Sequence, residues 1–474
     1  MKKRLFCLIL ALMTVLPACA DGNKVEDTSK TTEEVTEPVE TGYYDDIPED
    51  VRYDGYEFNI LSYDHTIWNS WNQYIIGDVN GDVVDVAAYR RNAEVEDMFG
   101  ITINQITGFS VDEYMTVFRN AVSANDADFD LCMFWSTHAL NALISENMVA
   151  DWKSISEINL DKPWYNQSAN EAWTVNGKQY FAVSDLSYSV QQHCRVLFNK
   201  DMFDKYQLDY PYEAVFDGEW TLDMMLELCK DVYEDNNQDN VQSYEDTFGF
   251  VTNPAMLSIF PYSTGELAVI PAKDGYELNL YTERHVDIVE KIQSLYDNPN
   301  VWVCQIGGNK QYETFNEGRA LFETYASDPV KLRDIDAFDF GYLPYPKYDE
   351  NQDEYYSFTY GGMLGIPNIT TDYTRTGYIV EALSAASAKY LEEAFIEKCI
   401  EGKVLRDDES VEIYRMLRDN AMYEFSYYVD PTGMGGTNWY YGVFLPARPA
   451  LSSYYAERET AIRTAYDGFF EALN

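Results

Sequence analysis

The sequence places oxygen-bearing residues at the spacing of a calcium-binding loop. Over residues 235–246, side-chain oxygens stand at loop positions 1, 3, 5, 9 and 12, and a backbone carbonyl is available at position 7: Asp235, Asn237, Asp239, Ser243, Asp246 and Val241. Calcium prefers oxygen ligands, and EF-hand-type loops supply them at these positions. Two residues depart from that pattern, because Asn240 replaces the usual glycine and Asp246 is shorter than the usual glutamate. In a chain with 80 acidic residues, chance spacing is the alternative to a structural Ca²⁺ site.

The motifs of common hydrolases and nucleotide-binding enzymes are absent from the sequence. It contains no G-x-S-x-G, no H-E-x-x-H and no P-loop, and its 4 histidines are scattered. Carboxylates are so abundant that a pair of them does not indicate a glycosidase. We therefore expect a protein that is not an enzyme and that requires no cofactor.

The first fifty residues are organised like those of an exported, lipid-anchored protein. A basic start at residues 2–4 and an apolar stretch at residues 5–16 precede Cys19, as in a bacterial export signal. A cysteine at the cleavage point resembles the lipobox of bacterial lipoproteins, whose thiol is acylated. We expect a signal peptide over residues 1–18, a lipidated Cys19 on the outer face of the cell membrane, and a flexible acidic linker over residues 19–50. The alternative is an ordinary secreted protein in which Cys19 is incidental.

Charge, cysteine content and aromatic content limit the kinds of partner. The net charge of −46 repels nucleic acid. Aromatic residues make up 15% of the chain, and their flat faces suit a carbohydrate-binding cleft. The cysteines beyond Cys19 are odd in number and lack a C-x-x-C pair, so neither a zinc site nor a disulfide framework is indicated. Most of them are expected to be small buried residues: Cys132, Cys194, Cys229, Cys304 and Cys399.

Alternating strand and helix patterns predict a parallel α/β sheet at the start of the folded body. The patterns are a strand at 57–61, a helix at 84–99, a strand at 101–106, a helix behind the capping box of Ser110 and Glu113, and a strand at 129–135. Later strands are expected at 195–198, 320–324 and 340–343, with mostly helix from about residue 370. Because about 425 residues follow the linker, we expect two lobes.

Six short motifs resemble, in order, those of the family 1 extracellular solute-binding proteins. They are AYRRNAEVEDMFG at 88–100, FDL at 129–131, LFNKDMF at 197–203, FNEGRALF at 315–322, GYLPYPK at 341–347 and the glycine pair at 361–362. Members of this family are lipid-anchored receptors of ABC importers in Gram-positive bacteria, many of them for sugars.

The resemblance implies a periplasmic-binding-protein-like type II fold, in which two α/β lobes are joined by a hinge and enclose a cleft. It implies an N-terminal lobe over 51–190 and 305–360 and a C-terminal lobe over 191–304 and 361–474. A solute, expected to be a sugar or oligosaccharide, would bind a monomer in the cleft. The lobes would close over it, and the closed form would deliver it to the permease subunits.

The candidate ligand-binding residues are aromatic and polar side chains placed after predicted strands. A sugar ring has an apolar C–H face and a rim of hydroxyls, so its site combines aromatic rings with polar acceptors, typically beyond the carboxyl ends of strands. The candidates, some of which rest on the family's usual cleft positions and any of which could instead pack in the core, are Trp68, Trp71, Trp135, Asp185, Tyr188, Tyr325, Asp328, Asn438 and Trp439.

Two other functions fit the same sequence features. One is a surface lipoprotein glycosidase, which would need a pair of carboxylates facing one pocket. The other is a carbohydrate-binding adhesin or sensor without a transporter. The sequence leaves the ligand open, since peptides, polyols and modified sugars fit the same scaffold.

Overall fold

The structure is a computed structural model. It describes residues 42–62, 74–126, 128–135, 140–187, 193–273, 275–305, 310–326, 329–359, 361–432 and 436–473. Among these residues, no helix combines the length and the apolar character needed to cross a bilayer.

The secondary structure alternates strands and helices through most of the chain. The strands are β1 (Glu57–Leu61), β2 (Thr102–Ile106), β3 (Leu131–Trp135), β4 (Thr174–Val175), β5 (Lys178–Gln179), β6 (Arg195–Asn199), β7 (Phe248–Thr252), β8 (Val269–Ala272), β9 (Gly275–Leu278), β10 (Val301–Val303), β11 (Ala320–Tyr325), β12 (Phe340–Leu343), β13 (Ser357–Phe358), β14 (Gly362–Gly365) and β15 (Ala421–Met422). The helices are α1 (Val83–Phe99), α2 (Val111–Ala124), α3 (Leu140–Ser145), α4 (Gln167–Ala172), α5 (Lys200–Tyr206), α6 (Tyr212–Phe216), α7 (Leu222–Leu228), α8 (Pro254–Leu257), α9 (Phe260–Ser263), α10 (Glu283–Gln293), α11 (Lys310–Asn316), α12 (Tyr373–Glu401), α13 (Asp408–Asp419), α14 (Phe425–Tyr428), α15 (Gly436–Phe444) and α16 (Leu451–Ala472).

The first lobe is built on a four-stranded sheet in the order β14-β3-β1-β2. Strands β1, β2 and β3 are parallel, and β14 runs antiparallel to β3. Helix α1 begins at a capping box on Asp82 and ends at Gly100 in the left-handed conformation, which suits glycine. Helix α12 lies on α1, where Lys389 bonds Glu94 at 2.8 Å and Lys398 bonds Asp82 at 2.7 Å.

The second lobe is built on a five-stranded sheet in the order β10-β7-β11-β6-β12. Strands β7, β10 and β11 are parallel, and β6 runs antiparallel to both β11 and β12. The residues of β6, β7, β11 and β12 are buried and mostly apolar, and Phe322 of β11 contacts Trp220. Helix α13 is held on β12 by the Tyr342 N–H, which donates to Ser410 Oγ at 3.1 Å.

Three extended segments lie side by side where the chain crosses between the lobes. We call residues 193–194, β13 and β15 the crossing ribbon. The Cys194 N–H donates to the Phe358 carbonyl at 2.8 Å, and His193 forms an antiparallel β-bridge with Thr359. Strand β13 pairs in parallel with β15. Because the ribbon connects the two sheets, it is where a relative rotation of the lobes would be absorbed.

The α/β fold class and the first three strands are confirmed, but the predicted lobe boundaries are wrong after residue 305. Strands β11 and β12 belong to the second sheet, and β14 joins the first. Strand pairing between distant segments is not encoded in local hydrophobic pattern, and every residue of these three strands is buried. Strand β14 fits beside β3 because Gly365 has no side chain, since a Cβ there would lie 2.6 Å from the Phe134 ring.

The C-terminal segment also serves both lobes, contrary to its prediction as part of one lobe. Helix α12 packs on the first lobe and α13 on the second. Helix α16 then joins the second lobe, where Tyr276 OH of β9 donates to Asp467 at 2.9 Å. The prediction of buried cysteines is confirmed, since all five beyond the linker are buried.

Candidate functional site

The carboxyl ends of the parallel strands in the two sheets lie on either side of the crossing ribbon. In the first sheet this edge carries Trp135, which pairs with Gly362 at the start of β14. In the second sheet it carries Tyr325, which pairs with Arg195 at the start of β6. Since β6 continues directly from residues 193–194 and β14 follows shortly after β13, the crossing segments join these two edges. We call the space between these two edges the interlobe cleft. Open α/β sheets bind ligands at the carboxyl ends of their strands, which is where these edges lie.

The first-lobe wall of the cleft carries an aromatic residue that is only half-buried. Trp135 is the last residue of β3, and the other four residues of that strand are buried. At the end of β1, Ser62 is buried and accepts a hydrogen bond from Gln105 Nε2 at 2.7 Å. The structure thus places Trp135 at the predicted edge, with its ring partly accessible.

The second-lobe wall is a stack of aromatic rings around a buried arginine. The Arg195 guanidinium lies 4.9 Å from the centre of the Tyr325 ring and 5.3 Å from that of Tyr342, which is the geometry of cation–π attraction. Arg195 Nη1 also donates to the His193 carbonyl at 2.8 Å. Tyr325 packs edge-on against Tyr312 at 5.4 Å, and burial raises the pKa of Tyr325. Tyr325 therefore ends β11 at the predicted edge of the sheet, where it is buried against the Arg195 guanidinium, a cation that the sequence analysis missed.

A buried glutamic acid lies on the same face of β11, two residues before Tyr325. Glu323 is 1% exposed, and neither carboxyl oxygen has a hydrogen-bond partner among the described residues. Burial raises the pKa of Glu323 well above its ordinary value, because the charged form is poorly solvated there. Nearby on α11, Gln311 Oε1 accepts from Cys304 Sγ at 2.9 Å. The sequence analysis missed both Arg195 and Glu323. In each case the sequence shows a charged residue in an apolar run, because Arg195 precedes Val-Leu-Phe and Glu323 lies within Ala-Leu-Phe-Glu-Thr-Tyr.

Asp185 lies beside the crossing ribbon and forms a partly buried ion pair. Its carboxylate contacts Arg418 of α13 at 3.1 Å, and Arg418 also contacts Glu392 of α12 at 2.6 Å. Burial raises the pKa of Asp185 to about 6, and the Arg418 charge opposes that rise. The prediction placed Asp185 near the first hinge as a ligand-binding residue, and the structure gives it a protein partner there.

Trp439 is packed in the C-terminal helices and does not line the cleft. It is 4% exposed, and its ring lies 5.1 Å from Tyr454 and 5.9 Å from Tyr455 of α16. The interpretation as a ligand-binding residue is therefore corrected, because the aromatic residues of α16 cover the ring. Asn438 lies in α15, but its side chain is outside the part of the structure that is described. Four further candidates and the lipidation residue lie wholly outside the described residues: Trp68, Trp71, Tyr188, Asp328 and Cys19.

The predicted calcium loop is folded around its own carboxylates. Asp235 accepts hydrogen bonds from the N–H groups of Gln238 and Asn240 at 2.8 and 2.9 Å, and Asp246 accepts from the Ser243 N–H at 2.9 Å. Asn240 has φ 60°, so it adopts the left-handed conformation for which glycine is usual. Within the described ranges, no three His, Cys, Asp or Glu side chains converge as metal ligands. Calcium binding here remains a prediction.

Solved structures share this architecture, although no protein-family model and no curated protein matches the chain. The maltose/maltodextrin-binding domain MalE from Bdellovibrio bacteriovorus, bound to maltotriose, is 15% identical with a TM-score of 0.53 and covers 87% of this chain and 99% of its own. The GacH receptor of Streptomyces glaucescens is 14% identical with a TM-score of 0.56, covering 88% and 99%. UgpB from Mycobacterium tuberculosis, in complex with glycerophosphocholine, is 13% identical with a TM-score of 0.54, covering 88% and 99%.

These likenesses extend over nearly the full length of each similar protein, at identities where only the fold is shared. The chain therefore has the two-lobed α/β fold of the periplasmic-binding-protein-like type II class.

Proposed function

We propose that this protein is the extracellular solute-binding component of an ABC importer and that its ligand is a carbohydrate. The observation that carries the proposal is the half-buried Trp135 at the end of β3, across the crossing ribbon from the buried Arg195–Tyr325–Tyr342 cluster at the end of β11. Aromatic faces pack against the C–H face of a sugar ring, and polar groups behind them bond its hydroxyls.

The similar structures favour this ligand class over other solutes. The similar proteins include one bound to maltotriose, one with acarbose and one with glycerophosphocholine. Carbohydrate is the chemistry that recurs among them and that the aromatic walls suit. We further propose that the ligand favours the closed arrangement of the lobes, so that a permease recognises the loaded form.

A thermal-shift screen of residues 20–474 tests the ligand class. The panel contains maltotriose, α-D-tagatose, glycerophosphocholine and trialanine. We expect at least one saccharide to raise the melting temperature, because a ligand that binds only the folded chain stabilises it by mass action. Stabilisation by the phosphodiester or the peptide alone would contradict the carbohydrate proposal, and turnover of a chromogenic glycoside would contradict the proposal of a non-enzymatic receptor.

The lipid anchor and the partner are part of the same proposal. Cys19 acylation would keep the receptor at the membrane, with the linker to residue 50 allowing it to reach the permease. In cells fed labelled palmitate, we expect the wild-type chain to carry label and Cys19→Ser to lose it and appear in the medium. Unchanged label in Cys19→Ser would overturn the anchor. Uptake of the bound sugar that is unaffected by deleting the gene would overturn the transport role.

We also propose that the 235–246 loop holds a structural Ca²⁺ ion. Support comes from the loop spacing and from Asn240, which adopts the backbone conformation of the usual glycine. Calcium titration followed by calorimetry is expected to show one site, which Asp235→Asn weakens at least about tenfold. The control is Asp408→Asn, an exposed acid in the first turn of α13. Equal binding by both variants would refute the site.

A further inference from the structure

A cavity lies between the lobes, and Trp135 and Tyr325 at the carboxyl ends of the strands do not line it. Its volume is about 400 Å³, within the range of small-molecule sites. It is lined by α4 of the first lobe, by the segment 265–271 that includes β8 of the second lobe, and by residues 419–423 with β15 of the crossing ribbon. None of the described residues that line it belongs to the cleft walls around Trp135 or Arg195, so we call it the rear cavity.

The walls of the rear cavity are apolar and held in place by the fold. They include Leu267, Val269, Met422 and Phe425. The backbone of β8 is fixed, because the Val269 N–H donates to the buried Glu424 at 3.1 Å. Met422 is fixed in turn, because β15 pairs with β13. A preformed apolar surface of this kind binds an apolar group with little loss of protein conformational entropy.

The rim of the rear cavity carries negative charge without a basic residue. Glu171, Glu354 and Asp419 line it and are exposed, and no Lys or Arg is among the described lining residues. Arg418, which directly precedes Asp419 of the rim in sequence, already contacts Asp185 and Glu392. Lys153 and Lys273 line a neighbouring groove that shares Glu171 with this rim, but neither lines the rear cavity itself. Carboxylates at the mouth of an apolar cavity are complementary to a cation with an apolar body.

We propose that the rear cavity is a second binding site, for a small amphiphilic cation such as an alkylammonium ion. The alkyl chain would pack against Leu267, Met422 and Phe425, and the ammonium would lie at the rim among the three carboxylates. Because α4, β8 and β15 belong to different lobes and to the ribbon between them, the bound cation favours the lobe arrangement in which they enclose it. This site does not depend on the proposed carbohydrate ligand.

The test compares three probes of equal chain length on residues 20–474. Hexylammonium, hexanol and hexanoate are titrated by ligand-observed NMR at low ionic strength, which measures millimolar affinities. We expect hexylammonium to bind more tightly than hexanol, and hexanoate to bind least, because the rim charge attracts the first and repels the last. Equal binding of all three probes, or binding of none, would overturn the proposal.

Two variants locate the site and separate it from the general acidity of the chain. Neutralising the rim with Glu171→Gln, Glu354→Gln and Asp419→Asn is expected to weaken hexylammonium about tenfold and leave hexanol unchanged. A matched control neutralises three exposed acids elsewhere, Asp209→Asn, Glu213→Gln and Asp217→Asn, and should change neither affinity. An equal loss in the control would show non-specific attraction to the net charge and overturn the site.

A third variant fills the cavity while leaving its charges. Leu267→Trp adds volume to a half-buried wall position and is expected to weaken hexylammonium and hexanol alike. Its melting temperature, compared with that of wild type, confirms that it is folded. Since the readout uses no sugar, failure of this site leaves the cleft proposal standing, and failure of the screen for carbohydrates leaves this site standing.

Discussion

Two of the regions that bury a carboxyl group differ in the hydrogen bonds that they provide to it. Where α12 meets the first lobe, Glu381 accepts hydrogen bonds from Trp164 Nε1 at 3.1 Å, from Tyr165 OH at 2.9 Å and from the Asn159 N–H at 3.2 Å. On the second-lobe wall of the cleft, Glu323 accepts none among the described residues. A buried polar group without partners destabilises the fold. Its retention at the cleft wall is the kind of local conflict that functional sites carry.

The largest expected effect comes from removing a charge partner in the satisfied region. Arg418→Met leaves Asp185 and Glu392 without their shared cation, and we expect the free energy of unfolding to fall by about 3–5 kcal/mol. Urea denaturation measures the change. The control is Arg415→Met on the same helix, whose exposed contact with Glu393 is 3.5 Å long and should be worth less than about 1 kcal/mol. An equal loss of unfolding free energy in Arg418→Met and Arg415→Met would mean that the Arg418 ion pairs stabilise the fold no more than an exposed surface pair does.

The second-largest expected effect comes from removing the hydrogen-bond acceptor, Glu381. Glu381→Leu leaves two side-chain donors and one backbone donor without their acceptor, so we expect a loss of about 2–3 kcal/mol in the free energy of unfolding. Glu397→Leu, at an exposed position of the same helix, is the control and should change stability by less than about 0.5 kcal/mol. A loss below about 1 kcal/mol for Glu381→Leu would mean that its three hydrogen bonds are not maintained in solution.

A third effect is a pH dependence of stability from the buried acids that have partners. Burial raises the pKa of Glu381 to about 7 and that of Glu424 to about 7. Because both values exceed the unfolded value, the folded chain binds more protons, and the stability from these groups is present at low pH and lost as pH rises through 7. We expect Glu381→Gln to flatten the decline between pH 5 and pH 8 by about 1–2 kcal/mol. An unchanged slope in chemical denaturation would contradict the raised pKa.

The smallest effect has the opposite sign and comes from the cleft wall. Glu323→Leu removes a buried carboxyl without partners, so we expect the free energy of unfolding to rise by about 1 kcal/mol at pH 7. Since the pKa of Glu323 is raised, the gain should shrink as pH falls toward the unfolded pKa. Denaturation at pH 7 and at pH 4 checks both statements. Destabilisation at pH 7 would mean that the carboxyl makes stabilising contacts, and the contrast between the two regions would fail.

Local sequence patterns were sufficient for the elements of the first lobe. The strand at 57–61 and the helix that ends at Gly100 follow from hydrophobic spacing and a glycine stop, and the structure has both. Pairing between distant strands was not predictable in this way. Strand β11 was assigned to the wrong lobe because its burial pattern is compatible with either sheet, and only its neighbours β6 and β7 decide.

Candidate residues could be predicted where local sequence pattern determines their position, but not where contacts with distant segments determine it. Trp135 could be placed because it ends an apolar strand, and Tyr325 because it follows the return strand. Trp439 could not be assigned, because its burial depends on Tyr454 and Tyr455 of a helix that follows it in the chain. Arg195 and Glu323 were overlooked because each stands within an apolar run, where a charge is uncommon and its partners are not visible in sequence.

Calorimetric titration of residues 20–474 with the saccharides of the screen tests the central claim most directly. The account predicts that one of them binds with one-to-one stoichiometry. It also predicts that Trp135→Ala weakens that binding at least about tenfold, whereas Tyr89→Ala, at a 44% exposed position on α1, leaves it unchanged. Binding that is equal in wild type, Trp135→Ala and Tyr89→Ala, or absent for every saccharide, would contradict a carbohydrate site in the cleft.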